Sequence, residues 1–215
     1  MKKRTDLKKT IQQLVITMFG ITISYSATAV TAFVNIGQGP VGAFQLTTSY
    51  LTGLRMGLIA ILFQAFFFMG QIVLEKKNFR PVQCLQLLVT TYGGLVLDFI
   101  LYDLLGEVAV AAYPLKLLFC VLAIAVNAFG VELVLETGLI RIPLEGFVML
   151  LAERIRITLG RLKQIFDCSL LAVTLIVTLL LGFEFTIREA TVINALLFGV
   201  FLDWFKQPVR KMLRK

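Results

Sequence analysis

The sequence predicts an all-α, polytopic membrane protein of six transmembrane helices, arranged as two inverted three-helix repeats with short re-entrant or interfacial helices between them. Three observations point there: hydropathy, the placement of positive charge, and a match of one half of the chain to the other. Of the 215 residues, 58% are hydrophobic, and the mean hydropathy is +0.88. That leaves too little polar surface to wrap a water-soluble globule. A span requires roughly 20 mostly apolar residues, and an unpaired backbone is costly in hydrocarbon, so such runs read as helices.

The first run, 11–33, follows a basic N-terminus and so also resembles a signal peptide, with Ala27, Ala29 and Ala32 as small residues. It is longer than the usual h-region of about 7–15 residues, and it reads as an uncleaved span. The second and third runs are 56–74 and 82–105, and the fourth is 115–135. Runs five and six, 165–181 and 187–205, are short, but polar or amphipathic stretches before each can extend them.

Orientation follows from charge. With the N-terminus in the cytoplasm, so are Lys2, Lys3, Arg4, Lys8, Lys9, Lys76, Lys77, Arg80, Arg141, Arg154, Arg156, Arg161 and Lys163, and then Lys206, Arg210, Lys211, Arg214 and Lys215. Only Arg55, Lys116 and Arg188 of the 21 basic residues fall elsewhere, which is the positive-inside pattern of a bacterial inner-membrane protein with both termini cytoplasmic. The net charge of +8 therefore serves topology. A nucleic-acid binder would gather its Lys and Arg on one face of a soluble module. Cys84, Cys120 and Cys168 all read as lying within spans, and there is no CxxC and no histidine. Neither a disulfide framework nor a metal site is expected, and no cofactor.

The chain can be laid on itself. Pro40, Phe44, Gly57 and Phe63 recur as Pro143, Phe147, Gly160 and Phe166 at a constant offset of 103 residues. Gly94, Leu97, Asp98 and Phe99 recur as Gly199, Leu202, Asp203 and Trp204 at an offset of 105, so each half ends on G-x-x-L-D-aromatic. One membrane domain thus divides into repeats at 10–106 and 113–206. Three spans per repeat make the second enter from the opposite side, an arrangement common in secondary transporters. Between the first and second helix of each half lies a segment too polar to span. The earlier one, 37–55, is hydroxyl-rich and uncharged up to Arg55, and the later one, 141–163, is amphipathic with several arginines. Each is either re-entrant or a helix resting at the headgroups.

Gly37-Gln38-Gly39-Pro40, Leu51-Thr52-Gly53-Leu54, Gly57 and the late Gly199 and Asp203 resemble the YczE/YyaS/YitT group of bacterial membrane proteins, closest to its YczE-like branch. The resemblance covers nearly the whole chain. It implies a cytoplasmic-membrane protein without assigned catalytic residues, in a group linked in places to secondary metabolism or assumed to transport. Val41 departs from the aromatic that usually follows the Gly-Pro step, which implies a different ligand if that position lines a site.

Ionisable groups within spans cost about 2.5–3.5 kcal/mol at a helix centre, so each is a functional candidate. Asp98 and Asp203 are expected near opposite ends of the bundle, pairing with Arg55 or Arg188 at the outer mouth and with Arg154 or Arg156 at the inner one. Glu132 is the first choice for a proton-coupling or cation-binding carboxylate, and Asn127 lies on another face of the same helix. Asp167, expected two to three residues into the fifth helix, matches Gln64 in register. Gln38, Gln45 and Asn194 complete the candidate substrate-binding or coupling set. Gln71, Gln83, Gln86, Thr90, Thr91 and Lys116 either line a cavity or act as interhelical glue and end groups. Gly53 and Gly57 form a GxxxG that starts outside its span. No Walker A loop, G-x-S-x-G or HExxH occurs, so no enzyme is expected. The leading expectation is a secondary transporter or exporter of a small organic solute. The alternatives are a substrate-binding membrane subunit of an ATPase-energised transporter and a non-transporting scaffold or regulator. Expected partners are the lipid bilayer, a solute, and a second copy or a partner membrane subunit.

Overall fold

Runs of Leu, Ala, Val, Ile and Phe become long helices, and proline and glycine mark where they begin and stop. The structure, a computed structural model, describes residues 2–76, 79, 81–106, 108 and 110–213, with residues 2–9, 81 and 82 described by their backbone alone. Lys77, Arg80, Arg214 and Lys215, and the side chains of Lys2, Lys3, Arg4, Lys8 and Lys9, lie outside that description. The regular structure of the described residues is helical: α1 (Lys2–Val34), α2 (Pro40–Thr52), α3 (Met56–Glu75), α4 (Leu85–Asp98), α5 (Tyr113–Thr137), α6 (Pro143–Ile155), α7 (Leu159–Leu181) and α8 (Glu189–Leu213). A 3-10 turn, Pro81–Cys84, leads into α4, and a π-helical turn, Phe99–Leu104, continues it.

Among the described residues, five segments are long and apolar enough to cross a membrane: Thr10–Val34 of α1, α3, Leu85–Leu104, α5 and α7. α8 is not among them, because Asn194, Asp203, Lys206 and Gln207 dilute its apolar stretch. α7 begins at Leu159, six residues before its hydropathy does, so Arg161 and Lys163 belong to its first turns. Asp167 is therefore in the third turn rather than near the start. Cys84 sits in the turn that precedes α4 rather than within a span.

The polar segments between the long helices are themselves helical. α2 and α6 are each 13 residues long and open on a proline, Pro40 and Pro143, where a missing N–H leaves no intrahelical bond unmade. Each stops at a left-handed residue, Gly53 (φ 69°) and Arg156 (φ 57°). Gly53 relieves that conformation and Arg156 does not. Three residues later, α3 and α7 begin.

α1 and α5 are the antiparallel centre of the bundle. They cross closely at Gly20 and Gly130, where a Cβ on Gly20 would stand 2.8 Å from the Gly130 carbonyl oxygen. Polar pairs flank the crossing, Ser24 Oγ donating to Asn127 Oδ1 at 2.7 Å and Thr17 bonding Thr137 at 3.0 Å. α4 runs parallel to α1, with Ile21 packed near Val89 and Ala29 and Ala32 near Leu97. α8 runs parallel to α5 through Ile124, Ile193 and Leu197. α3 packs on α4, while each short helix packs on the long helix of the other half, α2 on α7 and α6 on α3. No substantial contact joins α7 to α8. The two ends of the bundle are named below by the short helix each carries.

Candidate functional site

A helix N-terminus leaves its first amides without intrahelical partners and carries partial positive charge. At the start of α3 those amides find partners on α4 and the π turn. Asp98 Oδ1 accepts the Gly57 N–H at 2.7 Å, and the Tyr102 hydroxyl accepts the Met56 N–H at 3.1 Å. The approach requires two glycines: a Cβ on Gly57 would overlap the Gly94 carbonyl oxygen, and one on Gly94 would stand 2.6 Å from the Gly57 oxygen. Asp98 thus hydrogen-bonds a helix terminus, and Arg55, the basic partner the charge pattern suggested, lies within electrostatic range of it without a direct ion pair. Arg55 instead meets Asp103 at 3.5 Å, with its guanidinium over the Tyr102 ring at 5.4 Å. Arg55, Asp98 and Asp103 line an open groove of about 570 Å³ walled by Leu58, Ile61 and Leu95.

A second helix N-terminus, that of α6, is held from α3. Gln64 Oε1 accepts the Leu144 N–H at 3.1 Å, and Gln71 Nε2 donates to the Pro143 carbonyl. Both glutamines are buried and lie two turns apart on one face of α3. Beside them sits an aromatic cluster: Phe67 of α3 touches Phe63, Phe147 of α6 and Phe166 of α7, with ring centroids 4.9, 5.3 and 6.0 Å away. Phe44 of α2 joins through Phe63 at 5.5 Å. Rings from all four helices therefore meet at one place inside the bundle.

A model describing a family of unknown function, DUF6198, matches residues 11–207, from α1 into α8. The chain belongs to DUF6198. No curated protein and no solved structure matches it.

The remaining candidates of this DUF6198 protein are spread through the bundle. At the α2 end, Gln38 is buried, with its Oε1 accepting from Thr31 Oγ1 at 3.1 Å and its Nε2 without a partner among the described residues. Gln45 is buried on α2. Asn194 of α8 lies against Gly39, its Oδ1 standing 2.8 Å from where a Cβ there would be. Arg188 bonds the Asn35 carbonyl at 3.0 Å and pairs with Glu189 at 3.5 Å, apart from Asp98. Partial burial, and next the Glu184 carboxylate, push the Tyr50 phenol above its usual range, and Tyr50 shares a groove with Tyr102.

Near the α6 end, Glu132 is buried on α5, within electrostatic range of Glu136 and of Lys206 and Asp203 on α8. Asp203 is exposed, as are Arg154 and Arg156. No ion pair among the described residues joins Asp203 to either arginine. Asp167 pairs with Lys163 one turn earlier at 3.2 Å.

Sequence reasoning missed Tyr102, Asp103 and Ser24. Tyr102 and Asp103 stood at the end of a hydropathy run, where a wetted polar group is unremarkable. Ser24 is a hydroxyl whose role depends wholly on which helix faces it.

Proposed function

We propose that this DUF6198 protein is a secondary transporter or exporter of a small organic solute, with no enzymatic role, built from two inverted three-helix repeats. In this reading α8 is the sixth span. Both termini are cytoplasmic, the membrane is the bacterial cytoplasmic membrane, and the protein stands with the YczE-like branch of the YczE/YyaS/YitT group.

The observation that carries the proposal is the pairing of Ser24 with Asn127. They are 103 residues apart and hydrogen-bonded to each other at the α1–α5 crossing. Contact between two positions equivalent under the repeat offset is what a two-fold axis passing between them would give, and it supports the reading. The other matched positions agree with that axis. Pro40 and Pro143 open α2 and α6, and Gly57 and Gly160 are the second residues of α3 and α7. Phe44 stacks on Phe63 at 5.5 Å as Phe147 does on Phe166 at 6.1 Å. The contacts of α2 with α7 and of α6 with α3 exchange under the same operation. An axis in the membrane plane, with two short helices turned back to a common centre, is the architecture of alternating access.

A thermal-shift screen of the purified protein against metabolites tests the reading first, because a ligand that binds only the folded state must raise Tm. Uptake of the hits into liposomes holding this protein alone comes next. A screen without hits favours the scaffold reading. Binding without flux, together with a co-purifying ATPase, favours the energised subunit, for which the bare flank of α7, with Leu179, Leu180 and Leu181 exposed, offers a docking face.

A further inference from the structure

The two halves hold equivalent residues in unequal states. At the α2 end, Gly57 and Gly94 bring α3 and α4 into backbone contact, and Asp98 caps α3. At the α6 end, their counterparts Gly160 and Gly199 have no neighbouring atom within 4 Å of where a Cβ would be. Asp203, the counterpart of Asp98, is exposed. Glycine weakens a helix interior by roughly 0.5–1 kcal/mol relative to alanine unless a close approach uses it. Gly199, in mid-helix, has no such use in this arrangement. Gly160 is the second residue of α7, as Gly57 is of α3. Its amide has no intrahelical acceptor, as at any helix start.

Resting on the inverted-repeat reading, we infer that Asp203 is a latch: α8 closes on α7 so that the Asp203 carboxylate accepts the Gly160 N–H and Gly199 passes against Gly160. The latch at the α2 end opens as this one forms. A chain with two equivalent halves that rests with one closed has a second state with the halves exchanged. The arrangement described here is the state closed at the α2 end and open at the α6 end.

The two latches differ in strength. At the α2 end, the Tyr102 hydroxyl also takes the Met56 amide, and Arg55 lies over that ring. Under the 105-residue offset Tyr102 becomes Gln207, and under the 103-residue offset Arg55 becomes Thr158. The α6 end therefore lacks the phenol and its cation. This accounts for which latch is closed at rest. In that resting state Asp203 stays beside Glu132 and Lys206. Docking it on α7 brings it toward Arg161 and leaves Glu132 and Lys206 facing each other.

Pulsed electron-resonance distances on the full chain in lipid nanodiscs test this, with Cys84, Cys120 and Cys168 replaced and spin labels at the exposed positions Leu159 and Trp204. The expected result is two populations in the otherwise unaltered chain, the shorter one lost in Asp203→Asn and in Gly199→Leu and enlarged several-fold in Asp98→Asn. Asp203 and Gly199 have open space around them, so these two variants retain the resting fold, and the result does not depend on Asp98→Asn folding. A single long distance in every variant, from a protein that moves solute in liposomes, overturns the latch and leaves the transporter reading standing. A short population abolished by Asp203→Asn in a protein that moves nothing keeps the latch and overturns that reading.

Discussion

α3 and α7 start from matching sequence and end in different company. Each opens with glycine as its second residue, carries phenylalanine as its eighth and follows a 13-residue helix that begins on proline. Yet α3 buries eight residues, including Gln64 and Gln71, whereas α7 buries only Leu162, Thr174 and Thr178. The difference lies in what their polar side chains reach. Gln64 and Gln71 are long neutral amides that extend to the α6 backbone. Their counterparts in α7 satisfy themselves locally, Asp167 on Lys163 and Thr174 on the Leu170 carbonyl at 2.7 Å. A matched sequence pattern can thus fix the geometry of two elements while their cross-links are set by a few side chains.

Glycine replacement breaks the comparison hardest. Gly57→Leu forces a side chain into the Gly94 backbone and is expected to cost about 3 kcal/mol or more. Gly160→Leu, with open space around it, is expected to stay within about 0.5 kcal/mol. Unfolding free energies in mixed micelles measure both, and equal losses would mean that α7 is packed as tightly as α3.

The amide clasp comes next. Gln64→Ala leaves the buried Leu144 N–H of α6 without its partner, at a cost of about 1–3 kcal/mol, and Gln71→Ala removes a second bond to the Pro143 carbonyl, at about 0.5–1.5 kcal/mol. Asp167→Ala removes only a partly exposed pair one turn apart, expected at about 0.5 kcal/mol or less. The same unfolding assay decides, and an Asp167 effect as large as that of Gln71 would point to a bond between α7 and α2 that is missing here.

Smaller still is Asp98→Asn, which weakens a charge-assisted bond at a helix N-terminus by about 1–2 kcal/mol. Asp203→Asn is expected to leave thermal stability unchanged within error. Ser24→Ala should cost about 0.6 kcal/mol, the usual worth of a hydrogen bond between helices in a membrane. A cost above about 2 kcal/mol there would mean that the α1–α5 crossing rests on that pair more than on Gly20 and Gly130.

Much of this fold was legible because hydropathy, charge and punctuation depend only on local residue type. Long apolar runs located the Thr10–Val34 part of α1, α3, α4 with its π turn, and α5 to within a few residues, and the polar segments 37–55 and 141–163 held the short helices α2 and α6 without giving their bounds. The start of α7 was not legible, since Arg161 and Lys163 break the apolar run without breaking the helix. α8 read as a span although its apolar stretch falls short of the other five. In the candidate site, residue type identified Asp98 as exceptional and misjudged its partner. Arg55 is the nearest base in sequence logic, but it is held by Asp103 and Tyr102, and a helix terminus as partner is visible only once α3 and α4 lie side by side. Gln64 was chosen for its register with Asp167, whereas the structure gives each a different bond, because reach and charge are properties of the neighbourhood as well as of the residue.

The cluster of Phe44, Phe63, Phe67, Phe147 and Phe166 draws rings from four helices to one place. Their side chains carry no charge and no N–H or O–H donor, so an ion brought against the rings would shed water there without a polar replacement from them. In the transporter proposed above, a contact of that chemistry would act as a barrier to ions rather than a path for them.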